Sequence, residues 1–288
     1  MSGLRGDAAT DFGALRKRYP SVFAPQIVQR WPILAVGLLM ALLFVYGLWR
    51  LEFSFMRMWT GLAQLGRFAT LMLPPIAQSW PQALTFARAL AETVSIALLG
   101  TLMAALLAFP MGFLAARNAT INRVVQFMSR RFLDTIRGVD TLIWALIWVN
   151  VVGLGPFAGV LAIMTADAGA FGKLFSETIE AADRKPVDGV VASGGSRLQA
   201  IRFGLLPQVL PVMLGQVLYF FESNTRSATI IGIVGAGGIG LHLSEQIRTL
   251  EWQGVSLIVL MILAAVALID VVSGQLRFAI IGERSRNA

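Results

Sequence analysis

Few side chains in this 288-residue chain are of a type that does covalent chemistry. Cysteine is absent and His242 is the sole histidine, so disulfides, iron–sulfur clusters, thiolate zinc sites and histidine-rich metal sites lack their ligands. No nucleophile, base and orienting group stand at a recognisable spacing, and an enzyme site finds no support. Gly235, Gly237 and Gly240 do spell G-x-G-x-x-G after the apolar run 229–234. That spacing cradles a pyrophosphate only between a strand and a helix, with an acidic residue about 20 positions on to hold a ribose. Neither accompanies it here, so the glycines are read as permitting close helix packing or a bend. None of Lys17, Lys173 and Lys185 completes the G-x-x-x-x-G-K-[ST] loop that holds a nucleotide triphosphate. The residues thus call for no cofactor, no metal and no ATPase site in this chain.

What remains is chemistry by charge and shape. Asp167 stands alone within an apolar run, where a carboxylate is costly and faces a cavity or a partner; structural pairing and gating are both open to it. Arg226, with Asn224, Thr225 and Ser227, can attract an anion, or it can pair with Glu222 one helical turn earlier. The segment 186–207 is charged and broken by Gly189, Gly194, Gly195 and Gly204. It reads as a short helix, a glycine turn and a second helix, a rigid knob facing a soluble partner, against the plainer reading of a polar loop.

The elements that must carry these residues are set by composition. With 56% hydrophobic and 14% charged residues, the chain has too little polar surface for a water-soluble domain. Its net charge of +8 sits at the edges of apolar stretches rather than in a basic stripe with interleaved aromatics, which excludes nucleic acid as a partner. A hydrocarbon core about 30 Å thick needs roughly 20 apolar residues in a helix. Uncharged runs of that kind predict an all-α, polytopic membrane protein with about six transmembrane helices. The spans are 31–49, 93–116 with Pro110 as a kink, a third and a fourth divided by Gly153-Leu154-Gly155-Pro156, then 205–221 and 253–269. The fourth is expected over 157–171, with Lys173 at its inner edge. Residues 227–241 suggest a partly unwound or re-entrant element, and the prolines within 53–86 an external connection with a surface-lying helix. Whether the amphipathic stretch around Arg130 and Arg131 is separate from the third span stays open. No cleavable leader is expected. Eighteen of the 24 lysines and arginines fall on the side of the N-terminal tail, which predicts both termini in the cytoplasm.

On this frame the segment 186–207 resembles the loop by which permeases of bacterial ABC importers dock on their ATPase. That family's pattern is Glu-Ala-Ala, three residues, Gly, nine residues, Ile, one residue, Leu-Pro. Leu206-Pro207 fixes the frame, placing Gly194 on the glycine and Asp188-Gly189-Val190 on the first slot; Gly204 stands in the isoleucine slot. The literal Glu180-Ala181-Ala182 lies eight residues too early. Glu92-Thr93, Leu114-Ala115-Ala116-Arg117-Asn118, the stretch 137–148, Gly172-Lys173-Leu174-Phe175, Glu180-Ala181 with Asp183, and the stretches 222–229 and 235–240 look like the phosphonate importer permease subfamily over about 89–272.

The resemblance implies a type I ABC importer permease fold in the bacterial inner membrane. It implies a second permease copy, two cytoplasmic ATP-binding subunits and an external phosphonate-binding protein, surrounded by lipid bilayer. ATPase coupling would fall to Asp188, Gly189, Gly194, Ser196, Arg197, Leu206 and Pro207, and the translocation pathway to Asn224, Arg226, Ser227, Gly235, Gly237 and Gly238. The expected division is a tail 1–30, a first span 31–50, an external connection 51–87, a permease core 88–276 with coupling segment 184–204, and a tail 277–288. The competing class is an ion-coupled secondary transporter or channel needing no ATPase; it would carry coupling carboxylates of its own, and only Asp167 lies within a span.

Overall fold

The computed structural model describes residues 26–120 and 122–282, and every regular element among them is a helix. Residues 1–25 and 283–288, which hold most of the two expected tails, lie outside the described residues. The chain divides into two units, 1–67 and 68–288.

In the first unit, α1 (Gln26–Arg50) is the first span: residues 31–50 carry no charge before Arg50, and none of their side chains is buried. Glu52, with φ +49°, turns the chain, and Arg57 pairs with it at 3.4 Å. Most of α2 (Phe55–Leu71) follows in this unit as the amphipathic helix expected of the connection.

In the second unit, Phe68 in the last turn of α2 meets Trp252 edge-on. Helix α3 (Trp80–Ala115) begins well before the span expected from Thr93. Its start is written locally: Ser79 accepts from Gln82 N at 3.4 Å, Gln82 Oε1 accepts from Gln78 N at 2.7 Å, and Pro81 sits in the first turn. At 36 residues, about 54 Å, it outruns a bilayer, and it passes through Pro110 as one continuous helix.

The central partner of α3 is α6 (Pro156–Ala181), which ends ten residues later than expected and contains Lys173 rather than ending at it. Small residues at helical spacing on α3 (Ala97, Gly100, Ala104, Ala108, Gly112) let the two backbones close. A Cβ on Gly100 would lie 2.7 Å from Ile163 Cβ, and one on Gly112 2.8 Å from Phe175 Cβ. Gly112→Val should therefore cost about 1–3 kcal/mol of overpacking. A thermal unfolding midpoint of the purified assembly equal to that of the unaltered protein would refute this contact.

The third span is not a straight helix. Its amphipathic lead-in is a separate helix, α4 (Arg123–Arg137), and the apolar part, α5 (Thr141–Val152), leaves it at 86°. Twelve residues reach about 18 Å, too short to cross alone. Five helices among the described residues are long and apolar enough to span, and a sixth is reached only if α4 and α5 count together. Helix α4 is seated on α6 through Leu133, which fills the notch at Gly172, while Lys173 and Glu180 of α6 pair with Asp134 and Arg130 at 3.7 and 2.6 Å.

After the short α7 (Arg184–Ala192) and the single-turn α8 (Arg197–Gln199), a wide π turn (Ala200–Leu205) leads into α9 (Leu206–Ile233). The expected unwinding from 227 does not occur: α9 continues to Ile233, and only 234–238 leaves the helix before α10 (Ile239–Arg248). Gly235, Gly237 and Gly238 fall in that short break, while the polar residues before it are bonded within and between helices. Helix α11 (Trp252–Gly282) likewise continues through Asp270, so Arg277, assigned to a tail, lies inside it.

Candidate functional site

The segment 186–207 has the order of elements its sequence suggests. Asp183 caps α7 by accepting from Lys185 N at 3.1 Å. Gly194 N donates to Val191 O at 2.9 Å with Gly194 at φ +86°, a conformation that asks for glycine. Ser196 and Gln199 then form a reciprocal capping box that starts the second helix. Asp188, Gly189, Gly194, Ser196 and Arg197 are brought together, exposed, on this knob. Leu206 and Pro207 stand behind it at the start of α9, with Leu206 packed against the core. Gly204, the departure at the isoleucine slot, has a physical reason: a Cβ there would lie 2.8 Å from Val187 Cα, so α7 rests on the π turn through a bare backbone.

A groove of about 430 Å³ runs along the knob, lined among others by Asp183, Asp188, Val191, Arg197 and Asn118. Arg197 Nη2 donates to Ala119 O at 2.7 Å and ties the knob to the loop after α3. Glu180, whose triplet is out of frame with the docking pattern, is the organiser of this end of the bundle. Its Oε1 accepts from Arg117 N at 2.7 Å and from Arg130 Nη2 at 2.6 Å. Sequence reasoning missed that role because both partners are more than 45 residues away.

The pathway candidates do not form one group. Asn224 is 5% exposed and turned into the bundle, where its amide donates to Thr101 Oγ1 at 2.8 Å and to Asp167. Asp167 is thus a paired core residue, and Asn224 joins α3, α6 and α9. Arg226 lies on another face of α9, 49% exposed, and bonds Glu222 Oε1 at 3.2 Å. Ser227 donates to Ser223 O at 3.4 Å. Arg277 of α11 reaches the second oxygen of Glu222 at 3.4 Å.

Gly235, Gly237 and Gly238 sit at the opposite end of α9 from the knob, all with positive φ. Gly155 N donates to Gly235 O at 2.9 Å. The first amides of α10 already have acceptors: Gly238 N donates to Glu92 Oε1 and Ile239 N to Thr93 Oγ1, both at 2.8 Å. Residues 146 positions upstream therefore cap α10, and these two amides are not free to cradle a phosphate. Gly240 is required for contact, since a Cβ there would lie 2.0 Å from Thr229 O.

Residues 108–280 match the family described as "Binding-protein-dependent transport system inner membrane component". The putative phosphite transport system permease protein HtxC of Stutzerimonas stutzeri is 39% identical over 230 residues, 80% of this chain and 80% of that protein. The putative cryptic phosphonate transport system permease protein PhnE2 of Escherichia coli K12 is 44% identical over 118 residues, 41% of this chain and 97% of that one. Among solved structures, the inward-facing MetNI methionine ABC transporter has a chain that superposes with a TM-score of 0.62 at 17% identity, covering 70% of this chain and 99% of its own. That likeness carries the fold, a type I ABC importer permease.

Proposed function

Since the chain belongs to the family of binding-protein-dependent transport system inner membrane components, it is a multi-pass permease of an ABC importer, and we propose that its cargo is a phosphonate or a related phosphorus oxyanion, phosphite or phosphate. The observation that carries the cargo reading is the 39% identity, over four-fifths of both chains, to a permease named for phosphite.

The permease works with ATP-binding subunits and a substrate-binding protein, as its family does. In the finer reading a second copy of this chain completes the membrane part, two ATP-binding subunits hydrolyse the nucleotide, and both termini are cytoplasmic. The loaded binding protein docks outside. Closure of the ATP-binding dimer then pushes the knob at 186–199, and the spans rock from inward-facing to outward-facing. Support for the coupling step is mechanical. From Arg197 to Ile233 the chain is helical without a break, so the knob and the outer glycine turn are ends of one rod. Asp188, Gly189, Gly194, Ser196 and Arg197 would contact the ATP-binding subunit, with Leu206 and Pro207 anchoring the knob to the rod. Arg226 is the pathway candidate whose side chain is open to an anion. Asn224 belongs to the packing, and Gly235, Gly237 and Gly238 shape the outer bend.

The test is uptake in cells that lack their own phosphonate, phosphite and phosphate importers. With the cognate ATP-binding and binding proteins co-expressed, labelled phosphite or methylphosphonate should accumulate, and omission of the ATP-binding subunit should abolish it. Accumulation without that subunit would instead establish the secondary-transporter reading.

A further inference from the structure

Four charged side chains on two helices form a cluster between α9 and α11. Glu222 and Arg226 lie one turn apart on α9, Asp270 and Arg277 two turns apart on α11. Glu222 Oε1 accepts from Arg226 at 3.2 Å and Oε2 from Arg277 at 3.4 Å, while Arg277 approaches Asp270 at 3.9 Å. Each oxygen of one carboxylate is taken by a different arginine from a different helix. The Glu222 side chain is 12% exposed, whereas those of Arg226 and Asp270 are 49% and 60% exposed. Glu222 lies about 16 Å along α9 from its outer end at Ile233, within the reach of the hydrocarbon layer. Charges that open at that depth do not face lipid; they face a water-filled cavity or a protein partner.

Building on the oxyanion-permease reading, we propose that Arg226 and Arg277 form a transit site for a tetrahedral phosphorus oxyanion, and that Glu222 fills this site while no cargo is present. Two guanidinium groups that donate to separate oxygens of one small anion present the arrangement by which arginines bind oxyanions. The Glu222 carboxylate stands where two cargo oxygens would sit. The acidic residues also set the strength of binding. Two unopposed arginines in a poorly hydrated site would hold an anion tightly, and a conducting site must release what it binds. With Glu222 and Asp270 present the four formal charges cancel, so cargo exchanges with a resident carboxylate instead of meeting bare cations.

The experiment uses the complex of this chain with its ATP-binding subunits in lipid nanodiscs, without binding protein, probed with radiolabelled inorganic phosphate and competed by phosphite and methylphosphonate. Glu222→Gln should raise the retained label about tenfold, equivalent to about 1.4 kcal/mol, and slow ATP-driven uptake in cells. Arg226→Gln and Arg277→Gln should each lower uptake about tenfold, with Arg226→Lys and Arg277→Lys recovering part of it. Co-purification of the ATP-binding subunits reports whether each variant assembles; where a glutamine variant does not, the lysine variant and the Glu222→Gln binding result decide. A Glu222→Gln complex that retains no more label than the unaltered one, or full uptake by the double Arg226→Gln, Arg277→Gln variant, overturns the transit site and leaves a helix–helix ion pair. Absence of uptake of all three anions by the unaltered complex overturns the cargo reading, and the transit site with it.

Discussion

A permease carrying Asp188→Arg together with Gly194→Pro is expected to assemble in the membrane yet lose at least about tenfold of the ATPase stimulation given by loaded binding protein. The two changes strike the knob from different directions. Gly194 adopts φ +86°, which proline, fixed near −65°, does not reach, and its N–H bond to Val191 O at 2.9 Å would vanish with the amide hydrogen. The turn between α7 and α8 would then open. Asp188 is an exposed carboxylate on the groove beside that turn, so arginine there reverses the charge offered to a docking surface. No atom outside the local chain lies within 4 Å of a Cβ at Gly194, and Asp188 is likewise clear of the bundle, so the spans have no reason to misfold. Reconstituted complex, assayed with and without loaded binding protein, gives the measurement. Stimulation that survives both changes would remove the docking role from this segment.

The largest expected loss of stability comes from Asn224→Leu. That substitution strips Asp167, 6% exposed, of the amide that bonds it and leaves Thr101 without its donor from α9. Each buried group left without its hydrogen-bond partner costs about 1–3 kcal/mol, and more where that group is charged. The double variant Asp167→Leu, Asn224→Leu should recover most of this, since an apolar pair of similar volume has no such group to satisfy. Thermal unfolding of both single variants and the double, taken as a cycle, measures the coupling. Additive losses would show that Asp167 is held by something other than Asn224.

Much of the architecture is legible in the sequence because it depends on short-range patterns. The apolar runs place the spans, Gly153-Leu154-Gly155-Pro156 marks the hairpin between α5 and α6, and Gly194 with Leu206-Pro207 fixes the frame of the knob. What is not legible has a common cause: satisfaction at a distance. Residues 222–229 look too polar for a membrane helix, yet Thr101 and Asp167 take up Asn224 and Arg277 takes up Glu222, so α9 runs on. Lys173 looks like an edge marker until Asp134 of α4 meets it at 3.7 Å. Glu180 is visible as a motif but not as an anchor, because its partners come from α4 and the loop after α3. The early start of α3 was legible and lay in Ser79, Pro81 and Gln82, whose capping signals outweigh the habit of reading proline as a break.

The shared amide of Asn224 also divides the long rod unequally. From Arg197 to Asn224 the helix measures about 40 Å, and from Asn224 to Ile233 about 14 Å. Pinned at Asn224 to both α3 and α6, the rod is a lever whose inner arm is roughly three times its outer one. In the proposed cycle, a tilt about that fulcrum would turn a wide swing of the knob into a smaller displacement of the glycine turn, where Glu92 and Thr93 hold α10 by two hydrogen bonds.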